Sequence, residues 1–249
     1  RIFLPKTKII VTAHCLDRYH QKWGLIARLV LRLGEWTSLR FAHQTITVSK
    51  TLKDYFLNEF RETTVYIPNG ITAVPEYPGS SLIKDKWNLK KNKYVIMISR
   101  LVKHKGAHYL LEAWQFAKLQ YPELLKDQKL VITGGSSNTN KYVENLKEIA
   151  HGDDSIIFTN WQNGRILEQL YANTALFIHP SQNEGLPITV LQAMSYGRTV
   201  LLSDIQEHKE IIDDKRYLFA NANIGSLADK IIELFKDKQN LINQGKLNK

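Results

Sequence analysis

Arg100 and Lys105 stand in the segment Ser99-Arg100-Leu101-Val102-Lys103-His104-Lys105-Gly106, directly after an apolar run at 94–98. An arginine fork and a lysine point charge on one loop make a good pair for a diphosphate. A basic loop kept in water is the plainer reading of the same residues. A second group lies in His179-Pro180-Ser181-Gln182-Asn183-Glu184-Gly185-Leu186-Pro187. There an apolar run ends, a polar loop follows, and Pro187 suits a first helical position because its missing N–H has no partner there anyway. Gly185 allows close backbone approach, and the free N–H groups of the first turn make an anion and sugar seat. An ordinary strand-to-helix turn with Glu184 near the cap fits the spacing as well. The third group, Val11-Thr12-Ala13-His14-Cys15-Leu16-Asp17, puts a histidine where a strand ends. A lone histidine is more often structural, but a strand end facing a cleft makes it a candidate for ligand contact. Thr133-Gly134-Gly135-Ser136-Ser137 adds a glycine turn after a strand, a weak signal alone.

These loops need a frame, and the hydrophobic pattern supplies one. Strands are expected at 9–13, 45–48 and 65–67, with helices at 23–42 and 51–60 between them. Pro68-Asn69-Gly70, then Pro75, Pro78 and Gly79, break the pattern. A second series has strands at 94–98, 130–133, 156–158, 175–179, 199–202 and 217–219. Helices are expected at 107–119, 142–150, 166–171, 188–196, 207–212 and 226–235. Apolar strands spaced by helices predict an α/β fold with parallel, doubly wound sheets. The expected organisation is a first domain over 1–68 of which only the C-terminal part is present, a linker over 69–92, and a complete Rossmann-like domain over 93–249.

Composition narrows the function classes. Hydrophobic content of 43% and charged content of 23% fit a soluble globular protein. The single Cys15 excludes an internal disulfide and a cysteine-based zinc cluster, and points to a reducing compartment. No run approaches the ~20 apolar residues of a membrane span, and no signal-peptide pattern is present. The net charge of +10 suits nucleic acid, an anionic membrane or a phosphorylated substrate. Without a nucleic-acid motif, the first of these is not expected. Metal-ligand spacing, a nucleophile elbow, a Walker loop and GxGxxG are all missing, which removes support from a metal-dependent hydrolase or a dinucleotide dehydrogenase. The helix expected from Lys22 onward carries Trp23, Ile26, Leu29, Val30, Leu33 and Trp36 beside Arg28, Arg32 and Arg40. That face suits either its own sheet or an anionic bilayer surface, with packing on the sheet expected for most of it.

Together, the run Arg100 to Gly106, the Pro68-Asn69-Gly70 linker and the Glu184-Gly185-Leu186-Pro187 loop resemble the retaining glycosyltransferases of family 4. Leu202-Ser203-Asp204-Ile205-Gln206-Glu207-His208 is similar to the strand and loop that follow the family's signature helix. His14, Asp17, Lys22-Trp23-Gly24 and Leu33-Gly34-Glu35 look most like a bacterial subgroup that contains rhamnosyltransferases of capsule and cell-wall polysaccharide assembly. The resemblance implies a GT-B fold and a nucleotide-diphosphate sugar donor, dTDP-, UDP- or GDP-linked. It further implies a lipid-linked or polysaccharide acceptor, transfer with retention, no metal and no cofactor. It implies a place in the cytoplasm, either free or peripheral on the inner face of the membrane. Arg100 and Lys105 would hold the diphosphate, Glu184 would touch the donor sugar, and Gly185 and Leu186 would line the substrate loop. His14 would lie near donor and acceptor. Two residues depart from the family pattern. Gln192 stands eight positions after Glu184, where a second acid is expected to hold the ribose, and Cys15 replaces a glycine after the histidine. The resemblance also implies a C-terminal helix crossing back to the first domain, which is not expected before Lys249. A non-catalytic nucleotide-sugar-binding remnant or assembly partner is the alternative.

Overall fold

The computed structural model describes residues 7–19, 23–72, 74, 76–137 and 139–247. Lys22 and Pro75, named above, lie outside the described residues. The chain divides into two compact units, and neither is a simple run of sequence. One gathers residues 1–70 with 183–187 and 206–211; the other holds 71–182, 188–205 and 212–249.

In the first unit, β1 (Ile10–Ala13), β2 (Gln44–Thr47) and β3 (Val65–Tyr66) form a parallel sheet in that order. α1 (Leu25–Phe41) connects β1 to β2, and α2 (Lys50–Phe60) connects β2 to β3. The start of α2 is fixed by the Ser49 side chain, which accepts from Leu52 N at 3.2 Å. The Glu210 carboxylate accepts from Lys50 N and Thr51 N at 2.7 and 2.6 Å, so two more orphan donors of that helix are satisfied by a negative charge at its positive end. Val48, Leu52 and Phe56 form the buried apolar centre. Arg18 donates to the Tyr55 hydroxyl at 2.6 Å, which donates to Glu35 at 2.7 Å; this chain joins the 3-10 turn Asp17–Tyr19, α2 and α1.

α1 corrects one expectation. None of its residues is buried. Ala27, Leu31, Glu35 and Leu39 are half-buried and form its inner stripe. Leu25, Ile26, Leu29, Val30 and Leu33 are exposed, so the apolar face does not pack on its own sheet. Only the half-buried stripe meets the rest of the unit, toward β2 of that sheet and the 3-10 turn.

The second unit opens with α3 (Ser81–Trp87), a helix inside the stretch expected to be a linker. Asn88 ends it in the left-handed conformation, and Ile83 and Leu89 anchor it in the core. Then follow β4 (Tyr94–Ile98), α4 (Ala107–Gln120), α5 (Pro122–Leu125), β5 (Lys129–Thr133), α6 (Asn140–Ile149), β6 (Ile156–Asn160) and α7 (Gly164–Asn173). The chain continues through β7 (Leu176–His179), α8 (Ile188–Ser195), β8 (Thr199–Ser203), the one-turn α9 (Gln206–Lys209, in the first unit), β9 (Leu218–Phe219), α10 (Ile224–Lys236) and α11 (Lys238–Leu247). The helix expected at 207–212 is thus a single turn, and α11 was not expected. The six strands are parallel in the order β6-β5-β4-β7-β8-β9. β4, β7 and β8 are buried along their whole length, as a sheet covered on both faces requires. Trp114 on α4 and Phe235 on α10 are fully buried in that core. The order reverses between β4 and β7, and in such sheets the crevice at the carboxyl ends of those two strands is the natural ligand site.

Candidate functional site

The loops at that switch point are built to touch. After β4, Ser99 N donates to Thr133 O at 3.1 Å and Leu101 N to Gly135 O at 2.9 Å. Arg100 is held between these two anchors and is exposed. Gly134 must be glycine: its φ is +151° and a Cβ there would lie 1.8 Å from Ser99 O. The chain then makes a 3-10 turn, Lys103–Lys105, closed by Gly106 at φ +76°. A Cβ on Gly106 would lie 2.1 Å from Pro180 O, in the loop after β7. His104 O accepts from Gln182 N at 2.8 Å and from Ser181 Oγ at 3.3 Å. Ser203 Oγ, at the end of β8, donates to Ser181 O at 2.5 Å. Backbone and hydroxyl bonds thus fix the loops after β4, β7 and β8 against one another, with Lys105 half-buried and Arg100 in water. Two cations on a preorganised backbone are suited to binding an anion.

Gln192 sits on α8 in the same unit. Its Oε1 accepts from the Tyr171 hydroxyl at 3.1 Å. Tyr171 stacks on Tyr196, with ring centroids 5.7 Å apart, and burial raises its phenol well above the ordinary range. The Gln192 amide oxygen is therefore already engaged by a donor that stays protonated.

The remaining predicted site residues, His14, Glu184, Gly185 and Leu186, fall in the first unit. Gly185 packs directly on the strand end: a Cβ there would lie 1.5 Å from His14 O. Asn69 Nδ2 donates to Leu186 O at 2.9 Å, so the Pro68-Asn69-Gly70 segment helps to hold the same loop. Glu184 is 8% exposed, whereas the His14 side chain is exposed. Cys15 Sγ donates to Asp17 at 3.3 Å. Structure adds a residue that sequence reasoning passed over. Burial raises the Glu207 carboxyl above its ordinary range, and the charges of Glu184 and Glu210 push it further in the same direction. Three carboxylates therefore share this region, with Glu210 committed to the N-terminus of α2. The signal was Glu207 three positions before Glu210; the sequence placed Glu207 in an expected helix and in a segment resembling the family, with no role of its own. Among the described residues, no group of three or more His, Cys, Asp or Glu is arranged to hold a metal ion.

In a doubly wound six-stranded sheet the carboxyl edge at the switch point is where a ligand is expected, and two basic residues stand there. Comparison with known proteins narrows this. Residues 80–248 match the family described as glycosyl transferases group 1, and residues 1–73 match glycosyltransferase family 4. The chain belongs to the group 1 glycosyltransferase family. It is 28% identical over 193 residues to an uncharacterized glycosyltransferase of Haemophilus influenzae, covering 74% of this chain and 50% of that protein. It is 25% identical over 232 residues to the N,N'-diacetylbacillosaminyl-diphospho-undecaprenol alpha-1,3-N-acetylgalactosaminyltransferase of Campylobacter jejuni, covering 89% of this chain and 58% of that enzyme. The chain thus spans about half the length of the curated relatives it matches. Among solved structures, Anabaena Alr3699/HepE in complex with UDP and glucose superposes with a TM-score of 0.81 at 21% identity, over 99% of this chain and 67% of that one. The fold is of the GT-B class.

Proposed function

We propose that this protein transfers a sugar, with retention, from a nucleotide-diphosphate donor to a lipid-linked or polysaccharide acceptor. The observation that carries the reading is the fixed pair of loops at the β4–β7 switch point, presenting Arg100 and Lys105. Breaking the bond between the anomeric carbon and the diphosphate oxygen leaves negative charge on the phosphate. Arg100, Lys105 and the free N–H groups at the start of α8 stabilise that charge without a metal. Glu184 contacts the donor sugar and His14 lies at the acceptor side of the reaction. A leaving-group phosphate oxygen takes the acceptor proton. In this reading, 1–68 belongs to the acceptor domain and 93–249 to the donor domain, joined by 69–92.

UDP is the first nucleotide to test, because the structural neighbour quoted above was solved with UDP and glucose; dTDP and GDP follow. Rhamnose is the first sugar by subgroup resemblance. The Campylobacter relative is named for an undecaprenol-linked acceptor, and a similar acceptor gives this protein reason to sit on the cytoplasmic face of a membrane. α1 offers an exposed apolar face with Arg28 beside it. No helix among the described residues is long and apolar enough to cross a bilayer.

A second reading, a nucleotide-sugar-binding module without turnover, draws on Gln192, whose amide oxygen is engaged by Tyr171. A donor panel separates them. UDP-, dTDP- and GDP-sugars are incubated with the protein and a polyprenyl-diphosphate-linked acceptor, and the product anomer is read by NMR. Transfer with the donor's anomeric configuration supports the enzyme. Nucleotide binding without transfer or donor hydrolysis supports the module, and no nucleotide binding overturns both.

A further inference from the structure

The segment Asn88-Leu89-Lys90-Lys91-Asn92-Lys93 leads into β4 with three lysines in four positions. Its backbone is fixed. Asn88 and Asn92 both take the left-handed conformation, at φ 51° and 57°, and Asn92 N donates to Asn173 O at 2.8 Å. Lys93 N donates to Lys90 O and Lys129 N to Lys93 O, each at 3.1 Å, which ties this turn to the start of β5. A cavity of about 280 Å³ lies here, lined by Asn88, Leu89, Lys90, Lys93, Asp127 and Lys129. Three ammonium groups thus meet one carboxylate, and Asp127 already pairs with Lys93 at 3.4 Å. Among the described residues, neither Lys90 nor Lys129 forms an ion pair. Lys129 is half-buried, so its charge gives up hydration with no acid in return. Like charges around a recess repel one another, and an anion inside it removes that cost. The cavity lies at the amino ends of β4 and β5, whereas Arg100 and Lys105 follow the carboxyl end of β4. The five residues of β4 put the two places about 16 Å apart.

We propose that this cavity is a second anion site, which binds a small phosphate-bearing ligand away from the donor loops. Its volume falls just below the range of about 300–1,000 Å³ usual for larger organic ligands, so the occupant is a phosphate with little attached to it. Lys90 and Lys129 supply the charge-assisted contacts, and Asn88 offers a neutral amide donor. Lysines act as point charges on flexible stems, so the site selects charge before shape. The phosphate is carried either by a soluble phosphorylated metabolite or by the headgroup of an anionic lipid.

The test is calorimetric titration of inorganic phosphate and of glucose 1-phosphate into the Arg100→Ala/Lys105→Ala protein, where the donor loops no longer offer their cations. Phosphate should still bind, and adding Lys90→Ala/Lys129→Ala should weaken it at least tenfold, as the loss of two charge-assisted contacts requires. Asp127→Asn in the same background should tighten it several-fold, because Lys93 is released; a variant that merely damaged the fold would not gain affinity. Lys84→Ala/Lys86→Ala takes the same charge from the neighbouring α3 and should leave phosphate affinity unchanged. UDP affinity of the Lys90→Ala/Lys129→Ala protein should equal that of wild type. Binding of glucose 1-phosphate as tight as that of phosphate supports a soluble carrier. Pelleting with phosphatidic acid vesicles but not phosphatidylcholine vesicles, lost on Lys90→Ala/Lys129→Ala in an Arg28→Glu/Leu29→Ser background, supports a lipid headgroup. Phosphate affinity unmoved by Lys90→Ala/Lys129→Ala overturns the proposal, as does equal weakening by Lys84→Ala/Lys86→Ala, which would reduce the effect to diffuse charge. Phosphate binding that wild type shows and the Arg100→Ala/Lys105→Ala protein lacks also overturns it, by placing the anion at the donor loops.

Discussion

Replacing Gly106 by alanine tests whether the loop carrying Lys105 is held by contact with the loop after β7. Two costs add. The residue has φ +76°, where an L side chain loses about 1–2 kcal/mol. Its new Cβ would also lie 2.1 Å from Pro180 O and 3.2 Å from the Tyr109 ring. The obstacle at Pro180 is backbone, so the two loops must separate by about 1 Å, at a further cost of about 1–3 kcal/mol. The bonds from Gln182 N and Ser181 Oγ to His104 O lie in the path of that movement. At roughly 2–4 °C per kcal/mol for a chain of this size, thermal unfolding should drop by about 5–15 °C. UDP affinity should fall at least tenfold, and transfer by about a hundredfold, since a misplacement of about 1 Å is enough for that loss. Gly152→Ala is the control: its φ of +81° carries the conformational cost, but nothing lies within 4 Å of its Cβ. It should lose only a few degrees and leave UDP binding unchanged. Identical behaviour of the two variants would refute the argument from contact, because conformational strain alone would then account for both.

Gln192→Glu should tighten UDP binding several-fold in titration calorimetry, because the Tyr171 hydroxyl and a ribose hydroxyl can both donate to a charged acceptor; unchanged or weaker binding would mean that the ribose is held elsewhere. Asp153 links Lys118 and Ser155 at 2.7 and 2.6 Å, beneath the Trp114 indole that donates to Ser155. Burial opposes its ionisation, but those hydrogen bonds outweigh it and hold the carboxyl below its ordinary value of 3.8. Its folded value is the lower one, so its stabilisation is present above pH 3.8 and lost as pH falls through the folded value. Asp153→Asn should therefore cost about 1–2 kcal/mol at pH 7, with the gap closing in acid; a pH-independent gap in urea unfolding would contradict this. Arg28→Glu combined with Leu29→Ser should abolish flotation with anionic vesicles while leaving the circular dichroism spectrum unchanged, and retained flotation would remove α1 from the membrane reading.

The strands and the alternation were legible because a parallel sheet buried on both faces writes itself as short apolar runs, as in Tyr94–Ile98. α3 was hidden by the prolines and glycine before it, although Ser80 and Asn88 flank it at the N-cap and C-cap positions. α11, with few apolar residues, is fixed chiefly by Leu241 and by the close approach of Gly245 to Gly197 and Thr199, contacts that no periodicity encodes. Arg100, Lys105 and the Glu184 loop could be singled out as candidates from residue type and position. The bond between Gln192 and Tyr171 and the nearness of Glu207 to Glu184 arise from tertiary packing and leave no local trace. α1 misled in the opposite sense: its apolar stripe has a helical period, yet period alone says nothing of which surface it meets.

In the proposed reaction Arg100 and Lys105 hold the donor diphosphate. Titration of UDP into wild type and the Arg100→Ala/Lys105→Ala double variant tests it directly, with thermal unfolding as the check on folding. The loss of two charge-assisted contacts, about 2–4 kcal/mol in sum, predicts binding weakened by about thirty- to a thousandfold at unchanged stability. UDP affinity equal to that of wild type in the folded double variant would place the diphosphate elsewhere and remove both residues from donor binding.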